Sequence, residues 1–151
     1  MRRAFYSTPE QQSLLAEAAS RWLGTPFHPH ACLPQVGVDC VHLLAAIYKE
    51  TGALDAWEFP TYTMDGGDHR ATSLVLEWLG SHPRFERVAA GEALQPGDLL
   101  CFRLGRVPHH VGLLIARNRF IHAMRNYGVI ESQLDDPTFA ERFVTAYRPV
   151  L

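Results

Sequence analysis

The chain has 151 residues, of which 47% are hydrophobic and 20% charged, and its formal net charge is −2 at pH 7. This composition is typical of a globular protein and excludes an intrinsically disordered chain. It contains no run of basic residues and no apolar stretch of about 20 residues, so we expect neither a nucleic-acid groove nor a membrane span. Three cysteines do not indicate a disulfide framework.

The first predicted element is a helix that begins at Thr8 and Pro9. Thr8 suits the N-cap, Pro9 suits the first helical position, and Gln11 completes a capping box. Gly24 predicts the end of this helix. Apolar residues at helical spacing predict one buried stripe, which comprises Leu14, Leu15, Ala18, Trp22 and Leu23.

Residues 25–38 contain three prolines and are predicted to form a loop. The stretch "DCVHLLAAIYKETG" follows and predicts a second helix, with Asp39 as N-cap and Gly52 as the stop. Its inward side is expected to carry Leu43, Leu44 and Ile47. A third amphipathic helix is predicted over residues 68–80, with an apolar face of Leu74, Val75, Trp78 and Leu79 and with Gly80 at its end.

Beyond residue 80 the pattern changes to short β-rich segments separated by turn residues. These segments are "RFERV", "DLLCFRL", "HHVGLLIA", "RFIHAM", "GVIES" and "RFVTAYRPV". Helices that precede a run of strands are typical of the α+β class, with an antiparallel sheet. No repeat and no linker is visible, so we expect a single domain over residues 1–151.

Cys40 stands at the start of the second predicted helix. Free backbone N–H groups and the positive end of the helix dipole favour an anion there, and they predict a lowered thiol pKa and a site for an oxyanion. A buried, inert cysteine is the alternative, and on the cysteine alone it is the commoner case. Cys101 lies within a predicted strand and is expected in the core.

Two histidines supply candidates for a base that could activate this thiol. His110 begins one predicted strand and His122 lies near the end of the next. In an antiparallel hairpin centred on residue 116 they would stand nearly opposite each other on one face, so one imidazole could fix the tautomer of the other. His109 is a weaker candidate because alternation turns it to the opposite face.

At these residues the chain resembles the NlpC-type papain-like cell-wall cysteine peptidases. The matching stretches are "WLGTPF", "GVDCVHLL", "LQPGDLLCF", "HHVGLLI" and "RFIHAM…GVIES", in the order of the family and over residues 22–132. The long "HPHACLPQVGVDC" loop is most similar to the phage and prophage tail-associated branch.

The resemblance implies a papain-like core in which the nucleophile helix packs on the antiparallel sheet. It implies Cys40 as nucleophile, His110 as general base and acid, and His122 as the third member, with a thioester intermediate and no metal or cofactor. The implied substrate is the stem peptide of peptidoglycan, usually cut between D-glutamate, through its γ-carboxyl, and the diamino acid. Asp39 and His109 are further residues expected around the oxyanion and the substrate.

Three positions depart from the pattern of the family. Phe27 stands where many members have a tyrosine whose hydroxyl lies near the oxyanion. Val41 and His42 stand where many members have serine and then glycine, so the substrate contacts of these two positions are left open. His42 could face the site or the solvent.

Other readings remain possible from the residues themselves. His28, His30 and Cys32 could bind zinc, although their spacing is not that of a typical zinc motif, and solvated or substrate-lining histidines are the favoured interpretation. The fold could also serve as an inactive structural module of a phage tail, or as an amidase or acyltransferase on another substrate. The N-terminal segment has no apolar signal region, so we expect synthesis in the cytoplasm and delivery to the cell wall by a tail or by lysis.

Overall fold

A six-stranded antiparallel sheet with helices packed on it forms the architecture, as the α+β prediction requires. The structure, a computed structural model, describes residues 2–55, 77–104 and 107–151, without the side chains of 107–109. The described helices are α1 (Pro9–Ser20), α2 (Cys40–Thr51) and the short α3 (Pro137–Ala140), and residues 77–81 are also helical. None of these described helices has the length and apolar character needed to cross a bilayer.

The strands follow the predicted segments closely. A small hairpin, β1 (Cys32–Leu33) and β2 (Gly37–Val38), precedes α2. The six-stranded sheet has the order β3-β8-β4-β5-β6-β7. Its strands are β3 (Phe85–Arg87), β4 (Leu99–Leu104), β5 (Val107–Ala116), β6 (Arg119–Met124), β7 (Gly128–Gln133) and β8 (Phe143–Pro149).

Helix α1 begins as predicted but ends earlier. Thr8 and Gln11 form the full capping box, and Pro9 occupies the first turn. The helix ends at Ser20 rather than at Gly24, which lies beyond a further turn and has a φ of +84°. Leu14 and Leu23 were expected in the buried stripe and are instead 54% and 37% exposed, because the face that packs is that of Leu15, Ala18, Ala19 and Trp22.

Helix α2 lies at the centre of the core. Asp39 caps it by accepting a hydrogen bond from the backbone N–H of His42, and Gly52 ends it in the left-handed conformation, both as predicted. Leu43, Leu44 and Ile47 are fully buried. Most of the third predicted helix, with Leu74 and Val75, lies outside the described residues.

The sheet has two covered faces. The face toward α1 and α2 contributes odd-numbered residues of the central strands, among them Cys101, Val111, Leu113, Ile121 and Ala123. The opposite face contributes even-numbered residues and packs against Phe139 of α3; it includes Leu100, Phe102, Leu114 and Phe120. This alternation follows from the two-residue period of a strand, and it decides which histidines can meet.

The turn before β4 packs tightly against the N-terminal segment. Gly97 has a φ of +97°, and its N–H donates to the carbonyl of Leu114 at 2.7 Å. The hydroxyl of Tyr48 donates to the Gly97 carbonyl at 2.8 Å. A Cβ at position 97 would lie 2.2 Å from the buried ring of Tyr6, so only glycine fits here.

We therefore predict that Gly97→Ala lowers the free energy of unfolding by about 3 kcal/mol, from the left-handed conformation and from overpacking together. Gly91→Ala is the matched control, since Gly91 has a φ of +84° but nothing within 4 Å of its Cβ position. That control should cost only about 1 kcal/mol. Equal losses in urea denaturation of the two variants would contradict the packing argument.

Candidate active site

A cleft of about 140 Å³ opens at one end of the sheet, where β4 and β6 end and β5 begins. Cys40 reaches it from the first turn of α2, and His110 reaches it from the start of β5. The rest of its lining is mostly apolar and consists of Phe27, Leu104, Ala123, Met124 and Arg125. The nucleophile and base candidates therefore share one cleft with a mostly apolar lining, which is called the catalytic cleft below.

Cys40 is the first residue of α2 and is 4% exposed. The backbone N–H groups of Cys40, Val41 and Val111 point at its sulfur. The first two belong to the helix start, where N–H groups have no partner within the helix, and the third belongs to β5 beside His110. Docking of α2 on β5 thus surrounds the sulfur with donors from two elements.

His110 and His122 are joined by a hydrogen bond of 2.7 Å between Nε2 of His110 and Nδ1 of His122. On the far side of His122, its Nε2 lies 2.8 Å from the hydroxyl oxygen of Ser132. These three side chains form a line across β5, β6 and β7. We call it the polar relay.

The register of the β5–β6 hairpin differs from the predicted one by two residues. The pairs Leu113↔Ile121 and Leu114↔Phe120 centre the hairpin on residue 117 instead of 116, with an irregularity next to the turn. Continued along the strands, this register places His122 opposite Gly112. His110 is therefore a diagonal neighbour of His122, and because a shift of two residues preserves the face, the two rings still meet.

Gly112 provides the space that this diagonal contact needs. A Cβ at position 112 would lie 2.8 Å from the ring of Phe120. The Phe120 ring in turn packs against His122, with ring centroids 4.6 Å apart, and Phe139 packs edge-on against His122 at 5.2 Å. Phe120 and Phe139 also contact each other at 5.2 Å, so the His122 imidazole belongs to a cluster of three mutually packed rings.

Burial sets the protonation of the thiol and of the base. It raises the pKa of the Cys40 thiol to about 12, helped by the neighbouring Asp39 carboxylate, although the surrounding N–H groups act in the opposite direction. Burial lowers the pKa of His110 to about 4. The lowered thiol pKa that the helix start predicted is therefore wrong for this structure, because desolvation of the sulfur outweighs the helix dipole. At neutral pH both groups are uncharged.

His42 faces Asp39 and does not line the catalytic cleft. Its ring Nδ1 donates to the Asp39 carboxylate, at 2.8 and 2.9 Å from the two oxygens. This hydrogen bond raises the pKa of His42, against the lowering effect of its partial burial. Asp39 is fully buried and also accepts from the backbone N–H groups of His30 and His42. It organises the loop and the helix start but does not itself reach the cleft.

The remaining candidates are distributed between the cleft and the core. Phe27 lines the catalytic cleft, whereas Val41 is 2% exposed and belongs to the hydrophobic core. Its side chain therefore lies away from the position where a substrate would bind. The side chain of His109 lies outside the described part of the chain. Cys101 is fully buried, as expected for a core residue.

The histidines of the loop before α2 do not lie around one common point. The N–H of His28 donates to the Val38 carbonyl, and the side chain of His28 packs on Gly37. Cys32 is exposed, and its sulfur lies 3.7 Å from the His42 carbonyl oxygen. Within the described ranges, no three His, Cys, Asp or Glu side chains are arranged so that they could hold a metal ion.

Ser132 is the site residue that sequence reasoning missed. The β6–β7 register pairs His122 with Ile130, so Ser132 is the next residue of β7 on the same face. The polar serine in the "GVIES" segment and its parity relative to His122 were the available signals. They have meaning only once the pairing of β6 with β7 is known.

Comparisons with known proteins find a matching family and similar sequences. The sequence model of the NlpC/P60 family matches residues 21–148. A "Probable endopeptidase" of Haemophilus influenzae is 27% identical over 87% of this chain and 70% of its own length. The "Murein DD-endopeptidase MepS/Murein LD-carboxypeptidase" of Escherichia coli K12 is 42% identical over 36% of this chain and 29% of its own length.

Solved structures show the same fold. An NLP/P60-family protein described as similar to lipoprotein, from Staphylococcus aureus, superposes with a TM-score of 0.66 at 21% identity, covering 99% of this chain and 44% of that one. NlpC2 from Trichomonas vaginalis gives 0.61 at 19% identity, covering 93% of this chain and 47% of that one. The chain therefore spans less than half of each of these two solved chains.

The buried histidines predict acid sensitivity of the fold. Burial lowers the pKa of His110 and of His122 in the folded protein. Below the usual histidine pKa of about 6.5, these two histidines are protonated in the unfolded chain but remain neutral in the folded protein. Stability should therefore be complete above pH 6.5 and should fall as pH decreases toward 4. The free energy of unfolding is measured in urea at each pH.

His110→Gln provides the comparison, because it removes one of the two groups, together with the electrostatic effect by which His110 lowers the pKa of His122. Between pH 7 and pH 4 this variant should lose roughly 2 kcal/mol less stability than the wild type. If the free energy of unfolding changed equally with pH in the two proteins, His110 would not be buried as a neutral base.

Proposed function

This chain belongs to the NlpC/P60 family of cell-wall cysteine peptidases, and we propose that it is an endopeptidase that cuts the bond between D-glutamate, linked through its γ-carboxyl, and the diamino acid of peptidoglycan stem peptides. The cut proceeds through a thioester on Cys40. The observation that carries the proposal is the catalytic cleft, which both Cys40 and His110 line, while His110 is held by His122 at 2.7 Å. The matched relatives from Haemophilus influenzae and Escherichia coli are named endopeptidases.

The tautomers of the polar relay follow from the role of His110 as a base. His110 uses Nε2 to contact His122, so Nδ1 is the nitrogen left to accept a proton in the cleft. For Nδ1 to be the acceptor, Nε2–H must donate to Nδ1 of His122. His122 then carries its proton on Nε2 and donates to the hydroxyl oxygen of Ser132.

Attack begins from an uncharged pair. Nδ1 of His110 takes the thiol proton as the Cys40 sulfur forms a bond to the carbonyl carbon of the scissile amide. The imidazolium that results is stabilised through the polar relay, and the oxyanion is stabilised by the N–H groups of Cys40 and Val41 at the start of α2. Collapse of the tetrahedral intermediate breaks the C–N bond, and His110 returns its proton to the leaving amine.

Hydrolysis of the thioester completes the cycle. His110 removes a proton from a water molecule, which attacks the thioester carbonyl carbon, and the glutamyl carboxylate leaves as the sulfur regains its proton. Phe27 contributes an apolar wall to the cleft and supplies no hydroxyl donor to the oxyanion. The backbone N–H groups at the start of α2 therefore bear that role.

We also infer that the chain acts in the tail-associated branch of the family and reaches the wall by a phage tail or by lysis. The long segment between Phe27 and Cys40 supports this assignment. It folds as the β1–β2 hairpin, and its tip exposes apolar side chains beside the start of α2, with Leu33 at 56% and Val36 at 59% exposure.

Cys40→Ala should abolish digestion of purified peptidoglycan, with a rate loss of at least about 1,000-fold, because the nucleophile is removed. Cys32→Ala is the matched control and should retain activity, since Cys32 is exposed and lies outside the cleft. Mass spectrometry of the fragments should show a new amino group on the diamino acid. No digestion by the reduced wild type, or equal digestion by Cys40→Ala, would refute the proposal.

Ser132→Ala should lower kcat with little change in KM, because Nε2–H of His122 loses its acceptor and His122 can then shift its proton to Nδ1. That shift would force His110 to carry its proton on Nδ1, the nitrogen that must act as base. Ser132→Thr keeps the hydroxyl and should recover most of the activity. Nitrogen-15 NMR of the histidine rings gives the tautomers directly, and unchanged tautomers in Ser132→Ala would contradict the relay.

A further inference from the structure

A second cleft adjoins the catalytic cleft. It has a volume of about 430 Å³ and lies between the loop that carries Phe27 and the turn that joins β6 to β7. Phe27 and Arg125 line both clefts, so the two clefts are neighbours. The remaining lining of the second cleft consists of Gly24, Pro26, His28, Asn126, Tyr127 and Gly128.

The position of Arg125 is fixed by the backbone around it. The N–H of Tyr127 donates to the Met124 carbonyl and closes the turn. Val129, at the start of β7, exchanges two hydrogen bonds with the Phe27 loop: its N–H donates to the Thr25 carbonyl at 2.9 Å, and its carbonyl accepts from the Gly24 N–H at 3.0 Å. The turn is thereby tied to the loop on the other side of the cleft.

The guanidinium of Arg125 lies at the junction of the two clefts. Its central carbon is 5.9 Å from the centre of the Phe27 ring, a cation–π contact with a residue that also lines both clefts. Arg125 thus places a guanidinium beside both clefts, and a guanidinium suits an anionic group of the substrate.

We propose that Arg125 binds a free carboxylate of the stem peptide that lies next to the scissile amide, and that it thereby selects which peptides are cut. This inference rests on the proposed function. When D-glutamate is linked through its γ-carboxyl, its α-carboxylate stays free and charged, only a few bonds from the carbonyl that Cys40 attacks. A planar guanidinium holds such a carboxylate by two parallel hydrogen bonds, which an uncharged carboxamide cannot reproduce.

The experiment uses two synthetic stem peptides that contain γ-linked D-glutamate followed by a diamino acid. They differ in one group: the glutamate α-carboxylate is free in the first and is a carboxamide in the second. The wild type should cleave the carboxylate peptide with a kcat/KM at least about tenfold higher, mainly through KM. Arg125→Gln should cleave both peptides equally, at about the rate of the wild type on the carboxamide.

Two further variants separate charge, geometry and folding. Arg125→Lys keeps the charge without the planar fork and should show an intermediate preference. Arg119→Gln removes a positive charge from β6 at the opposite end of that strand, where Arg119 lies 3.8 Å from Glu131, and should keep the full preference. Thermal melting of all variants checks that the fold is retained.

Each result decides between distinct conclusions. Loss of cleavage by Arg125→Gln in equal proportion on both peptides, or a wild type with no preference, would overturn the role of Arg125 while leaving the endopeptidase intact. If Arg119→Gln lost the preference to the same extent as Arg125→Gln, the preference would be an effect of net charge. That result would also overturn the role of Arg125. A wild type that digests neither peptide nor peptidoglycan would overturn the proposed function itself.

Discussion

The antiparallel register of β5, β6 and β7 is the constraint on which the site depends. Two diagonal contacts, from His110 to His122 and from His122 to Ser132, place three polar side chains on one face of three adjacent strands. A slip of one residue in either hairpin would turn one of these side chains to the other face. The aromatic rings of Phe120 and Phe139 fill the space around His122, so the register and the packing of this face support each other.

Burial determines the protonation of Cys40 and His110 and therefore the chemistry of this site. The apolar surroundings keep the thiol of Cys40 protonated and the imidazole of His110 neutral, so the free protein carries no preformed thiolate–imidazolium pair. In the proposed mechanism, charge develops only when a substrate occupies the cleft, where the N–H groups at the start of α2 and the polar relay can stabilise it.

Asp39 connects the loop, helix α2 and Cys40. Its carboxylate caps α2, holds the N–H of His30 and accepts from the ring of His42. A buried carboxylate beside Cys40 opposes thiolate formation, and a protonated His42 would offset that charge. His42 thus partners Asp39, the residue before Cys40, and does not line the catalytic cleft. Its difference from the expected glycine therefore leaves the lining of the cleft unchanged. Phe27 and Arg125 do line the cleft and are the better candidates for determining specificity.

The sequence by itself determined the elements and the identity of the nucleophile and base candidates. Capping residues such as Thr8 and Asp39 act locally, and the two-residue period of the strands is local too, so the helix starts and the strand segments could be predicted. Parity also placed His110 and His122 on one face, even though the predicted centre of the hairpin was wrong.

Only the tertiary structure decided what these residues touch. The contact of Ser132 with His122, the turn of His42 toward Asp39 and the burial of Val41 depend on how separate elements pack. The tertiary structure also decided that the pKa of Cys40 is raised and not lowered. A helix start alone lowers a thiol pKa, but the sheet that α2 packs against removes the sulfur from water, and desolvation depends on contacts between residues far apart in the chain.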